Sequence, residues 1–190
     1  MALFLSGKVL MKKSKTLNLV LSALFLALAY VLPFLTGQIP EIGSMLCPMH
    51  IPVILCGFIC GAPSGALVGF IAPLFRSLTL GMPPLFPGAV CMAFELAAYG
   101  GVAGILYSRL PKRKAAIYPI LLISMIIGRL VWGAATFLCL SLSGGAFTLA
   151  AFIAGAFTNA IPGIVVQLVL IPVVVMLAEN PNILRINRQR

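Results

Sequence analysis

Three charged side chains stand inside long apolar runs of the sequence. Glu95 lies in "CMAFELAAYGG", Arg129 in "MIIGRLVWGAA" and Arg76 in "IAPLFRSLTLG", and the whole chain has only three acidic residues. A charge placed in hydrocarbon costs at least about 2.5–3.5 kcal/mol, so such side chains usually face a cavity or one another. Guanidinium groups beside a carboxylate could bind the acid, hydroxyl or amide groups of a small ligand.

The residue patterns of common enzyme sites are missing. His50 is the only histidine, which excludes an HExxH metal site, and the serine of "GAPSG" is misplaced for a nucleophile elbow. There is no GxxxxGK[ST] phosphate loop. Of the five cysteines, Cys56 and Cys60 share a helix face, but no histidine or carboxylate completes a metal site there, and the five are typical of small buried residues. They are Cys47, Cys56, Cys60, Cys91 and Cys139. We therefore expect no catalytic residue, metal or cofactor.

Composition indicates an integral membrane protein. The 190 residues are 62% hydrophobic and 8% charged, whereas a soluble domain is about one quarter charged. At 1.5 Å per residue, six apolar runs approach the length needed to cross about 30 Å of hydrocarbon. They cover residues 17–35, 47–61, 62–80, 88–108, 116–142 and 150–178. The predicted fold is an all-α bundle of six transmembrane helices, with a short second run that suits a tilted or partly re-entrant segment.

Positive charge predicts the orientation of the bundle. The thirteen Lys and Arg residues fall mostly near residues 8–15, 109–114 and 185–190, between or outside the apolar runs. Such clustering is typical of cytoplasmic loops and disfavours a nucleic-acid role. We predict both termini inside, with a basic leader (1–14), a six-helix domain (15–180) and a basic tail (181–190). Five apolar runs follow the first one, which favours an uncleaved helix over a signal peptide.

Helical rise then predicts how deep the polar groups lie. Glu95 and Arg129 each come about 10 Å below the outer surface, and Arg76 has a comparable depth. Asn159 comes about 13 Å below it, and His50 is expected to be shallower than the others. This convergence predicts a pocket open to the outside. The alternative is a structural Glu95–Arg129 pair, with Arg76 reaching out to the interface.

Neighbouring residues support the pocket and a helix-docking surface. Trp132, three residues after Arg129, could form a stacking wall, and the loops "TGQIPEIGSMLCPMH" and "GMPPLFPG" are stiffened by proline. Small residues spaced four apart allow helices to approach closely in a membrane. They are Gly57, Gly61, Gly65 and Gly69, then Gly100 and Gly104, and on the first helix Ala23 and Ala27.

Two stretches carry a family resemblance over residues 15–180. "LFLALAYVLPFLTGQIPEIGSMLCPMHIPVILCGFICG" and "GFIAPLFRSLTLGMPPLFPGAVCMAFELAAYGGVAGILY", with the six helices, resemble the substrate-binding S components of energy-coupling-factor vitamin transporters. The resemblance implies a multi-pass protein of the bacterial cytoplasmic membrane. It implies that the first and third outer loops and the outer halves of helices four to six capture a vitamin. It also implies docking onto a transmembrane T component with two cytoplasmic ATPases, through Ala23 and Ala27.

The vitamin is predicted less directly. Two arginines against one glutamate favour a ligand with a carboxylate or phosphate, and the resemblance favours pantothenate, with cobalamin and pyridoxine-type vitamins as alternatives. A second hypothesis is a self-sufficient ion-coupled carrier that uses Glu95 as a proton relay, although the chain lacks inverted repeats. A third is a membrane enzyme, which the missing catalytic patterns disfavour.

Overall fold

A computed structural model describes residues 15–36, 45–110, 114–145, 148–155 and 160–178 of the chain. Within these ranges the structure is helical and contains no strand. The helices are α1 (Lys15–Val31), α2 (His50–Cys60), α3 (Ala62–Leu80), α4 (Val90–Arg109), α5 (Ile117–Leu142), α6 (Leu149–Ile153) and α7 (Ile161–Ala178). The predicted leader, most of the basic residues and the tail lie outside the described residues.

Most predicted segments correspond to observed helices. The third run is matched from end to end by α3, and the fourth and fifth runs are matched by α4 and α5 to within two residues. The first run is α1 followed by a 3₁₀ turn over Leu32–Thr36. Within the described residues, five helical segments are long and apolar enough to cross a membrane. The all-helical prediction is therefore confirmed for this part of the chain.

The second run forms an unusually short helix at the centre of the bundle. Helix α2 has 11 residues and is about 16 Å long, roughly half the thickness of the hydrocarbon core. Ten of its residues are buried, because α1, α3, α4 and α7 all pack against it. A helix enclosed in this way satisfies its backbone inside the protein and does not need to span the bilayer.

The sixth run does not form one helix over residues 150–178, as the sequence suggested. The described residues place two helices there, the five-residue α6 and then α7. Pro162 is the second residue of α7, a position in the first turn that tolerates proline.

Glycines bring α2, α3 and α4 into backbone contact. Gly61 alone joins α2 to α3, with a φ of +93° that favours glycine. A Cβ atom added at Gly65 would lie 2.7 Å from the Gly57 Cα and 2.7 Å from the Gly100 carbonyl oxygen. One added at Gly104 would collide with the backbone of Ala62. The four-residue glycine spacing therefore marks the closest helix crossings in this part of the molecule.

Helix α1 packs on the bundle through one narrow face. Phe25 and Ala29 are its buried residues, and most of the remaining surface is exposed. Ala23 and Ala27 both lie on the exposed side, one helical turn apart, between large exposed side chains such as Leu24. The exposed surface of α1 thus contains a shallow notch formed by these two alanines.

Candidate functional site

Glu95 and Arg129 form a buried ion pair between α4 and α5. The Arg129 Nη1 atom donates to the Glu95 Oε1 atom at 2.8 Å. Only 2% of Glu95 and 7% of Arg129 is exposed. Charge-assisted hydrogen bonds of this length are about twice as strong as neutral ones. The pair joins two long helices at one height, as the predicted depths of the two residues required.

His50, the first residue of α2, completes the cluster. Its Nε2 atom lies 3.4 Å from the same Glu95 oxygen that Arg129 binds, and only 2% of the residue is exposed. The ring also meets the Tyr99 ring edge-on, with 5.1 Å between centroids. We expected His50 to be shallower than Glu95, but the contact places the two side chains at one depth. The reason is that α2 begins at His50 and is only half as long as a membrane span.

Cys47 also contacts this cluster, although the sequence suggested only a small buried residue. The Arg129 Nη2 atom donates to the Cys47 sulfur at 3.5 Å. Cys47 has a φ of +48°, which is uncommon for a residue with a side chain and is concentrated at functional sites. Its carbonyl oxygen accepts from the backbone N–H of His50. The only sequence signal was its position three residues before the sole histidine.

We use the name polar cluster for Glu95, Arg129, His50 and Cys47. Its members come from the turn that leads into α2 and the first residue of α2, from the first half of α4, and from the middle of α5. Helix α7 contributes another buried polar side chain that the sequence analysis overlooked. Gln167 is 1% exposed, and its Oε1 atom has no hydrogen-bond partner among the described residues. It could have been noticed as the lone polar residue of the run "IPGIVVQLVL".

Arg76 lies apart from the polar cluster. Its Nη1 atom donates to the backbone carbonyl of Tyr30 at 2.7 Å, and its guanidinium carbon lies 5.0 Å from the centre of the Phe34 ring. Arg76 is only 4% exposed, so these contacts replace water around a buried cation. A cation at the last turn of α1 also interacts favourably with the helix dipole. The expected excess of two guanidinium groups over one carboxylate is therefore absent from the polar cluster.

Of the two remaining predicted site residues, the structure describes Trp132 but not Asn159. Trp132 stacks on Phe152 of α6, with 6.3 Å between ring centroids. Its ring also lies 2.7 Å from where a Cβ atom of Gly155 would stand. It therefore forms part of the contact between α5 and the segment that begins with α6. Asn159 lies outside the described residues.

An apolar cleft of about 310 Å³ lies beside α5 and α6. Its walls are Leu130, Gly133, Ala134, Phe137, Thr148, Leu149 and Phe152. No member of the polar cluster lines this cleft. Within the described part of the chain, no three His, Cys, Asp or Glu side chains come together in an arrangement that could hold a metal ion.

Comparison with known proteins gives one match. A family model described as "ECF transporter, substrate-specific component" matches residues 17–175 of the chain. This range includes every helix of the polar cluster and the exposed alanines of α1. Searches of curated proteins and of solved structures found no match.

Proposed function

Because the chain belongs to the family of substrate-specific components of ECF transporters, we propose that it is the high-affinity binding subunit of a vitamin importer. Membership implies a multi-pass membrane protein that binds a small molecule and works with a T component and ATPases. We propose a water-soluble vitamin as the substrate and the bacterial cytoplasmic membrane as the location. Pantothenate is the favoured vitamin, and cobalamin and pyridoxine-type vitamins are the alternatives.

The observation that carries the proposal is the polar cluster itself. A buried carboxylate, guanidinium and imidazole from three separate helices are costly to assemble in a membrane, and such groups are retained mainly where they serve a ligand or ion. Their fixed geometry suits a ligand with several polar groups, because little side-chain freedom is lost on binding. We propose Glu95, Arg129 and His50 as ligand-binding residues, with Trp132 and Asn159 also near the ligand. The predicted role of Arg76 in binding is set aside, because Arg76 holds the end of α1.

Arg129 and the start of α2 are the features that favour an acidic vitamin. A guanidinium group pairs strongly with a carboxylate in a dry site. The N-terminus of α2 carries partial positive charge, and it lies within the protein beside the polar cluster. Transporters use interrupted helices of this kind to bind the acidic groups of substrates. Pantothenate has a carboxylate and several hydroxyl and amide groups that this arrangement could bind.

We further propose six membrane segments with both termini in the cytoplasm. The distribution of Lys and Arg supports this orientation, with the short α2 counted as one of the six segments. Ala23 and Ala27 are the proposed docking site for the T component, since both face away from the bundle. Reporter domains fused at each terminus and between α5 and α6 would test the orientation.

The test of function is purification of the chain alone, followed by mass spectrometry of the small molecules that elute with it. One vitamin bound per chain, with affinity that needs no ATPase partner, is the expected result. Liposomes containing only this chain should take up no vitamin under a pH gradient. Uptake by the chain alone would contradict the proposal and support the ion-coupled carrier.

A further inference from the structure

The polar cluster has no net charge to offer an acidic ligand. Glu95 is the only carboxylate in the described residues, and its charge is balanced by Arg129 at 2.8 Å. Arg76 binds the end of α1 instead. A ligand carboxylate that enters this cluster would therefore leave one uncompensated negative charge in a buried site, which is strongly unfavourable.

His50 can supply the missing positive charge as an imidazolium, whereas a proton on Glu95 would restore neutrality only by breaking its ion pair with Arg129 at 2.8 Å. The residue is 98% buried, as its exposed fraction of 2% implies, and neither ring nitrogen has a hydrogen-bond partner among the described residues. The Nε2–Oε1 separation of 3.4 Å is beyond the usual length of such a bond. Buried ring nitrogens are normally bonded, so these two atoms indicate a group that binds there.

Among the residues that the structure describes, the other groups around His50 cannot take this role. Tyr99 of α4 and the thiol of Cys47 are neutral acids that could only add negative charge, and Arg129 of α5 already carries a proton. The one charged group of α3 is Arg76, and α7 has no titratable side chain. On α1, Tyr30 contacts Arg76 and Lys15 is at the far start of the helix.

We propose that the polar cluster binds the carboxylate of its ligand together with one proton, and that His50 carries that proton. The proton comes from solvent, and no covalent bond forms or breaks. The resulting imidazolium has two N–H donors, restores electrical neutrality to the site, and adds an attraction to Glu95. This inference rests on the proposed function and defines its ligand as an organic monoanion bound with H⁺.

The experiment is calorimetric titration of the purified full chain with pantothenate, in phosphate and in Tris buffer at one pH. The two buffers differ in ionisation enthalpy, so the difference between the observed binding enthalpies counts the protons taken up. We expect about one proton for pantothenate and none for pantothenol, the neutral alcohol analogue. Where one proton is taken up, the Kd rises about tenfold for each unit of increasing pH.

Variants test whether His50 carries the proton that is taken up on binding. His50→Gln should abolish the proton uptake and flatten the pH dependence, whereas Tyr118→Phe, at an exposed position of α5, should change neither. Since His50 is the only histidine, ¹⁵N-histidine labelling of a protein without a histidine tag gives one side-chain spectrum. That spectrum should change from neutral imidazole to imidazolium when pantothenate binds, a reading that does not require the His50→Gln variant to fold.

The other possible results distinguish a failure of proton-coupled binding from a failure of the proposed vitamin-binding function. Pantothenate binding without proton uptake, or with uptake that survives His50→Gln, would overturn the inference and leave the vitamin-binding function intact. If pantothenate does not bind, the proposed vitamin is wrong, and the same two-buffer titration is done with the vitamin that co-purifies. A neutral co-purified vitamin would overturn the inference, and an acidic one bound with a proton would support it.

Discussion

Replacing Glu95 by glutamine would leave the Arg129 guanidinium buried without its carboxylate partner. Removal of one member of a buried ion pair costs about 3–5 kcal/mol, because the remaining charge is uncompensated. The 2.8 Å contact and the burial of both residues put this pair in that class. We expect Glu95→Gln and Arg129→Gln each to lower the thermal stability of the detergent-solubilised protein strongly.

The double variant Glu95→Gln/Arg129→Gln separates structure from function. It removes both charges, so it should recover most of the stability that either single variant loses. The two glutamine side chains then present neutral amide groups, which cannot form an ion pair with a ligand carboxylate. We therefore expect vitamin affinity to stay at least about tenfold below that of the parent, which corresponds to about 1.4 kcal/mol.

The assay is a thermal melt in detergent together with calorimetric titration of the co-purified vitamin, for the parent and all three variants. A double variant that is stable and binds the vitamin with the parent's affinity would refute our reasoning. The pair would then be a structural connection between α4 and α5, which was the alternative interpretation of the sequence. Single variants as stable as the parent would show that the pair is not desolvated.

Three further predictions concern the parts of the bundle around the cluster. Gly100→Ala should destabilise the protein by about 1–3 kcal/mol through overpacking, because its Cβ would meet the Gly65 backbone. The neighbouring Gly101→Ala, whose Cβ would meet only a side-chain carbon at 3.5 Å, should not; equal melting temperatures would contradict this. Ala27→Leu should reduce co-purification with the T component and spare vitamin binding. Leu28→Met, at an exposed position of α1 turned about 100° away from Ala27, should affect neither; unchanged assembly in Ala27→Leu would exclude the alanine notch. Arg76→Gln should lower stability by about 1.5–3 kcal/mol, the value of a hydrogen bond to a charged group, and change vitamin affinity less than threefold. A larger loss of affinity, measured at a temperature at which parent and variant are both folded, would show that Arg76 belongs to the binding site.

The sequence predicted the helices well because hydropathy and length suffice for membrane segments. It located α3 to the residue, and the four-residue glycine spacing predicted a close approach of helices, which the structure has between Gly65 and Gly100. Helical rise also brought Glu95 and Arg129 to one depth. These inferences need only the periodicity of a helix and the thickness of a bilayer.

What the sequence could not provide was the direction of individual side chains. Depth alone does not distinguish Arg129, which turns to Glu95, from Arg76, which turns to the end of α1. The sequence did indicate a short second segment, but it did not show that the helix begins only at His50, which brings the imidazole to the level of the carboxylate. Cys47 was overlooked because its role depends on a left-handed backbone conformation that cysteine rarely adopts.

The length of α2 sets the position of His50 relative to the other helices. Since Gly61 anchors its far end against α3, the number of residues in α2 decides how far His50 stands from that anchor. One extra turn would lift the imidazole by about 5 Å, past Glu95 and out of reach of it. A chain with the same arrangement and a longer central helix would hold its histidine away from the carboxylate, and its binding site would suit a ligand of a different size.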